Sequence, residues 1–414
     1  MRHQVRPMGE IMSQPRLANR ANRMRASEIR ELLKLLARPD IISFAGGIPD
    51  ESLFPANAAK EGYVKALDSE TQGKSLQYSL SDGHAPLRQW IVEYMASLGV
   101  TCELENVMIT SGSQQALDFI AKLYLSPNDT ALVTWPTYLG ALQAFNAYEP
   151  RFDRLDPMGN RSSAEIAKDA EDAGGSVKFA YLSADFGNPT GQTYSREMRE
   201  RLIEMADELD IPIIEDGAYQ ALRYDGTAIP PILAIEQEQR GGDIEACRTI
   251  YCGSFSKTLA PGLRIGWVCG SRQILDRLVI IKQAGDLHTS TINQMVIDHI
   301  ARTVFDEQVE KIGSVYSARR DKLLAELKKN MPDGVSWTEP EGGMFVWVTL
   351  PKGLDGAALL EKSLETEKVA FVPGQAFFAD GSGANTIRLS FSCAGDEMIE
   401  EGMARLGRLI ANAI

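Results

Sequence analysis

The chain has 414 residues, 44% of them hydrophobic and 24% charged, with 35 glycines and 19 prolines, a globular composition that excludes extensive disorder. Its 56 acidic against 43 basic residues leave a net charge of −13, which repels a phosphate backbone and argues against a nucleic-acid partner. No apolar run approaches the roughly 18 residues needed to span a bilayer, so no membrane partner is expected.

At roughly 150 residues per domain the length allows two to three domains. Five scattered cysteines without ligand-like spacing suit a reduced, cytoplasmic chain with no metal site. Residues 1–26 carry six arginines, at 2, 6, 16, 20, 23 and 25. They lack the apolar centre of a secretory signal and read as an arm over the body, an extension ahead of Met8 or Met12, or an organelle transit peptide.

From 107 to 270, short apolar, β-rich runs alternate with helical patterns. Strands are predicted at 107–110, 131–135, 179–183, 211–215, 249–252 and 265–268. Between them Leu117, Ile120, Ala121 and Tyr124, and later Met198, Leu202, Met205 and Leu209, recur at helical spacing. This alternation predicts an α/β fold, a large domain with a mostly parallel sheet flanked by helices. Beyond 301 a helical stretch around 315–327 and short strands at 343–350, 369–373 and 386–391 predict a smaller α+β domain. The expected division is an arm and helix at 1–55 belonging with the small domain, a large domain at 56–300 and the small domain at 301–414.

Ligands of open α/β sheets sit beyond the carboxyl ends of the strands. After the first strand, Thr110-Ser111-Gly112-Ser113-Gln114 leads into a helix, and Ser111 with Gln114 has capping-box spacing. This is either a capped helix or an anion cradle on a helix N-terminus. Trp135-Pro136-Thr137-Tyr138 brings an aromatic to the same mouth, for packing or for stacking on a ring. Asn188-Pro189-Thr190-Gly191 is a turn whose amide could point inward. In Ile214-Glu215-Asp216-Gly217-Ala218-Tyr219 the two acids face opposite sides of the strand. Asp216 is then either a helix cap or a buried carboxylate that needs a cation. Ser254-Phe255-Ser256-Lys257 and Arg264 follow the next strand. A lysine there is either solvated or, desolvated beside other cations, a nucleophile toward carbonyls. Together these are the parts needed to hold a phosphorylated pyridine aldehyde.

From about Ala26 to the C-terminus the sequence resembles the fold type I, pyridoxal-phosphate-dependent class I/II aminotransferases. Ser27-Glu28-Ile29-Arg30-Glu31-Leu32, Phe44-Ala45-Gly46-Gly47-Ile48-Pro49, Leu76-Gln77-Tyr78-Ser79, Gln283-Ala284-Gly285-Asp286-Leu287-His288-Thr289 and Gly342-Gly343-Met344-Phe345-Val346-Trp347 resemble the 2-aminoadipate and kynurenine branch. The resemblance implies pyridoxal phosphate as cofactor, with Lys257 as its Schiff-base lysine and proton shuttle. It implies Asp216 as partner of the ring nitrogen, with Asn188 and Tyr219 on the ring oxygen. Ser111, Gly112, Ser113, Gln114, Ser254, Ser256 and Arg264 would hold the phosphate, and Tyr138 would stack on the ring. Tyr78 would reach the phosphate of the neighbouring subunit in a homodimer with shared sites.

For the substrate, the resemblance implies Arg388 as the α-carboxylate clamp, with Asn188 and Gly47 beside it, and Arg30 as reader of a distal carboxylate. The implied activity is transfer of the amino group of an L-amino acid, of 2-aminoadipate, glutamate or aromatic type, to a 2-oxo acid such as 2-oxoglutarate. A β-lyase, a racemase and a non-catalytic aminotransferase-like regulator are the alternatives on this scaffold. Ala184-Asp185-Phe186-Gly187 departs from the relatives, which often have an uncharged second residue and Gln at the fourth. The departure bears on the shape of the substrate pocket.

Overall fold

The computed structural model describes residues 17–24 and 40–414. Among these, thirteen strands occur in chain order: β1 (Ile42–Ser43), β2 (Val107–Thr110), β3 (Thr130–Val133), β4 (Arg151–Arg154), β5 (Val177–Leu182), β6 (Ile213–Asp216), β7 (Ile250–Ser254), β8 (Gly266–Cys269), β9 (Ser336–Trp337), β10 (Phe345–Thr349), β11 (Val369–Ala370), β12 (Val372–Pro373) and β13 (Thr386–Ser390).

Seven of them form the large sheet in the order β2-β8-β7-β6-β5-β3-β4. Pairing is parallel from β7 through β6, β5 and β3 to β4, and β8 runs antiparallel to both β7 and β2. The link from β7 to β8 is too short for the crossover helix that a parallel partner needs, so β8 returns directly.

Strand side chains alternate between two cores. Ala131, Val133, Phe179, Tyr181 and Ile214 pack under helices Ser113–Tyr124 and Leu139–Asn146 on one face. Leu132, Ala180, Leu182 and Ile213 pack under Arg196–Leu209 and Ile232–Gln239 on the other. Burial on both faces explains why these strands read as continuous apolar runs.

A smaller α+β domain carries the antiparallel sheet β12-β13-β10-β9. Next to it β1, from the start of the described chain, pairs in parallel with β11. Both domains share one helix of 40 residues, Thr291–Asn330, about 60 Å long. Val296, Ile297 and Ile300 enter a core with β2 and β8, whereas Ile312, Tyr316, Leu323 and Leu327 enter the core of the smaller sheet. The boundary expected at 301 falls inside this helix. The predicted stretch at 315–327 is only its second half, because the apolar positions change face where the helix changes partner.

Candidate active site

The carboxyl ends of β2, β3, β5, β6 and β7 open on one cavity of about 550 Å³, roofed by residues 47–48 and by Arg388 of β13. This lies within the usual range of ligand pockets.

At the end of β6 the two acids diverge. Glu215 accepts the backbone N–H groups of Ile232 (2.8 Å) and Leu233 (3.1 Å), capping the helix Ile232–Gln239 away from the cavity. Burial pushes its carboxyl up to about 7, against the opposing pull of Arg199 and those two donors. Asp216 lines the cavity and accepts from the Tyr181 hydroxyl at 2.9 Å and the Ala218 N–H at 3.3 Å. Burial raises its pKa too, against those two bonds and the charge of Lys257. A desolvated carboxylate with unused acceptor capacity suits a protonated ring nitrogen.

Lys257 follows β7. Its Nζ donates to the Gly47 carbonyl at 3.2 Å and lies 5.7 Å over the Tyr219 ring. Burial, together with the cations Arg388 and Arg264, brings its amine down to about 8, opposed by Asp216. The sequence framed this lysine with hydroxyls, and Ser254 and Ser256 line the same cavity.

At the amino end of helix Ser113–Tyr124 no side chain caps the backbone. The expected capping box is absent. The N-cap is Gly112, and the Ser111 hydroxyl is drawn away to Asp286 (3.2 Å). Gly112 has φ +79°, and a Cβ there would stand 2.5 Å from Arg264 Nη2, so only glycine lets this guanidinium lie against the turn. The uncapped N–H groups, Ser113, Gln114 and Arg264 thus form a cradle for an anion. Tyr138 lines the cavity, its hydroxyl 3.4 Å from Gln114 Oε1 and its ring folded over Gly140.

Arg388 is 1% exposed. It donates from Nη1 to Asn188 Oδ1 at 2.8 Å and from Nη2 to the Ala45 carbonyl at 2.9 Å, and lies over the Phe345 and Phe377 rings. Its Nε is buried without a hydrogen-bond partner. An orphaned donor on a fork that lines the cavity fits an incoming carboxylate.

The cavity therefore unites Gly47, Ser113, Gln114, Tyr138, Asn188, Asp216, Tyr219, Ser254, Ser256, Lys257, Arg264 and Arg388. Ser111, Gly112 and Tyr78 do not line it. Tyr78 is 78% exposed, with its ring edge-on to His288 at 5.9 Å. Arg30 lies outside the described residues.

Asp185 turns away from the cavity. It accepts from the fully buried Arg199 at 2.9 Å and from Arg223 at 3.4 Å, so the charge introduced at 185 is paired behind the pocket wall. Sequence reasoning missed Tyr181 and Ser183, whose hydroxyls donate to the Asp216 carboxylate and carbonyl. A tyrosine inside an apolar strand, which needs a partner for its hydroxyl, was the available signal. Gly140 and Gln143, in the helix that follows Tyr138, also line the cavity.

The sequence pattern of the family "Aminotransferase class I and II" matches residues 39–406. The chain belongs to the class I and II aminotransferases. This aminotransferase is 42% identical to aromatic-amino-acid aminotransferase 1 of Thermococcus litoralis, over 94% of its own length and 92% of the relative's. Its structure is similar to that of a Pyrococcus horikoshii kynurenine aminotransferase solved with PMP (TM-score 0.87, 40% identity, covering 96% of this chain and 97% of the other). It is similar as well to an α-aminoadipate aminotransferase of Thermus thermophilus solved with N-(5'-phosphopyridoxyl)-L-leucine (TM-score 0.83, 38% identity, 96% and 97% covered). The protein is a pyridoxal-phosphate-dependent transaminase. The uncapped cradle at Gly112 and the buried acid at Asp216 are complementary to the two charged ends of that cofactor. Among the described residues no helix is long and apolar enough to cross a membrane.

Proposed function

We propose that this aminotransferase moves the amino group of an L-amino acid, of 2-aminoadipate, glutamate or aromatic type, to a 2-oxo acid such as 2-oxoglutarate. One observation carries the reading: the depressed amine of Lys257, the buried carboxylate Asp216 and the buried guanidinium Arg388 border a single cavity.

Lys257 would hold pyridoxal phosphate through its amine, and the cofactor would supply an electron sink for the pair left when the Cα–H bond breaks. Ser113, Gln114, Ser254, Ser256 and Arg264 would hold its phosphate, Tyr138 would cover its ring, and Asn188 and Tyr219 would orient its ring oxygen. Asp216 holds the proton on the ring nitrogen. Arg388 fixes the substrate α-carboxylate beside Asn188 and Gly47 and so directs Cα–H toward Lys257. Lys257 Nζ, once free of the cofactor and with its basicity lowered by burial, would take that proton and return it.

The reading includes a cytoplasmic homodimer with shared sites. Leu76, Tyr78 and Leu80 form an exposed apolar strip (about 70% or more of each accessible in the single chain), a surface that calls for a covering partner. The Tyr78 hydroxyl would then reach the neighbouring subunit's phosphate.

A panel of L-amino acids with 2-oxoglutarate fixed as acceptor tests the reading. The expected result is ping-pong kinetics, with each half-reaction visible as interconversion of the aldehyde and amine forms of the cofactor. Racemised donor, or ammonia release in the absence of any 2-oxo acid, would replace it with another reaction at Cα.

A further inference from the structure

Lys282 is 1% exposed and lies outside the cavity. Its Nζ donates to both oxygens of Asp286 (2.8 and 3.0 Å) and to Gln115 Oε1 (3.0 Å), 5.9 Å over the Phe119 ring. Gln115 Nε2 in turn donates to Asp286 Oδ2 at 2.7 Å. A buried ammonium persists only where it is paired and hydrogen-bonded, and here the pairing is complete.

The same two acceptors grip Ser111. Its backbone N–H donates to Gln115 Oε1 at 2.9 Å, and its hydroxyl donates to Asp286 Oδ2 at 3.2 Å and lies 3.3 Å from that of Thr289. From the cavity side Arg264 Nη2 donates to the Ser111 carbonyl at 3.4 Å. Gly112 N–H closes back on the Thr110 carbonyl at 2.8 Å. The turn that opens the anion cradle is thus clamped from behind by a polar cluster anchored on the buried Lys282 ammonium, with Asp286 at its solvent edge, and touched in front by one guanidinium. Against the burial that works to raise it, the bonds from Lys282 and Gln115 hold the Asp286 carboxyl below its ordinary value, so the cluster keeps its charges.

We propose that Lys282, Asp286 and Gln115 are positioning residues for the phosphate end of the cofactor. They fix Ser111 and Gly112 so that the uncapped start of helix Ser113–Tyr124 meets the phosphate, and Ser111 acts through this cluster rather than by touching phosphate. The inference rests on the cofactor site described above. It gives a role to Lys282 and Asp286, which the catalytic reading leaves unused.

The test compares affinities of the full chain, stripped of cofactor, for pyridoxal phosphate and for pyridoxal. Their ratio isolates the phosphate from the ring and the lysine. Asp286→Ala should narrow the ratio by roughly tenfold or more, and Ser111→Ala by less than about threefold. Asp286→Asn, which keeps the side-chain shape, should fall between and serves if the alanine variant does not fold. Lys282→Met should follow Asp286→Ala.

An unchanged ratio in the Asp286 variants, or equal losses for both ligands, overturns the proposal. So does a Ser111→Ala loss as large as that of Asp286→Ala, which would make the hydroxyl a direct phosphate ligand. A wild-type protein that fails to prefer pyridoxal phosphate over pyridoxal would instead remove the cofactor site on which the inference rests.

Discussion

Glu215 and Asp216 are consecutive in β6 and work on opposite faces of the sheet: the first caps a helix through two backbone N–H groups, and the second borders the cavity under the Tyr181 hydroxyl. Their isosteric amides should therefore separate cleanly. Asp216→Asn should lose roughly a hundredfold or more in kcat while unfolding at nearly the wild-type temperature. Glu215→Gln should cost about 1–2 kcal/mol of stability and leave kcat within roughly twofold. Thermal melts and steady-state rates on both variants check this, and the reverse pattern would exchange the two roles.

Lys257 sets a pH dependence in the stripped protein. Its amine sits at about 8, below the 10.5 of an ordinary lysine. Between these values the folded chain binds fewer protons than the unfolded one, so this group's contribution to stability rises with pH across that window. Below about pH 8 the full penalty is present. Lys257→Met should therefore be more stable than wild type near neutrality, and the gap should close toward pH 10.5. Capture of pyridoxal phosphate by the wild type, followed by absorbance, should accelerate with a midpoint near 8.

Gly112→Ala places a methyl group 2.5 Å from Arg264 Nη2 at a backbone φ of +79°. That backbone conformation, with ψ 163°, is open essentially to glycine alone and costs another residue about 1–3 kcal/mol, and displacement of the guanidinium should weaken pyridoxal phosphate binding by roughly tenfold. A variant that binds cofactor as tightly as wild type would remove Arg264 from the cradle.

The shared-site dimer predicts complementation. Lys257→Ala and Tyr78→Phe subunits, each poorly active alone, should recover activity on mixing, to about a quarter of wild type if they assort at random. A fully active monomer in sedimentation would contradict the arrangement.

Arg30→Ala should reduce kcat/KM on 2-aminoadipate or glutamate by about 10- to 150-fold, the equivalent of one desolvated charge-assisted bond. Aromatic and leucine donors should be nearly unaffected. Equal losses on both classes would give Arg30 a purely structural role.

The residues at the ends of β2, β3, β5, β6 and β7 were legible in the sequence because strands buried on both faces are written as apolar runs, and the ligand side follows from their direction. β4 was not legible, since Arg-Phe-Asp-Arg on a half-exposed edge carries no apolar signal. The capping box failed because spacing alone cannot show that Asp286, 175 residues away, takes the Ser111 hydroxyl. The bearing of Asp185 on the pocket was illegible for the same reason: its partner Arg199 lies one helix further on and draws it back into the wall.

The roof of the cavity closes across very long stretches of chain. The Ala45 carbonyl receives Arg388 from 343 residues away, the Gly47 carbonyl receives Lys257 from 210, and the Ile48 carbonyl receives Ser392 from 344. During synthesis the large sheet and its lysine can be complete once Cys269 has emerged, and the phosphate cradle once Asp286 has followed to hold Ser111. The carboxylate clamp cannot be, because its arginine is among the last residues made. Cofactor capture can thus precede the end of translation, whereas the competence to hold an amino acid arrives only with the finished chain.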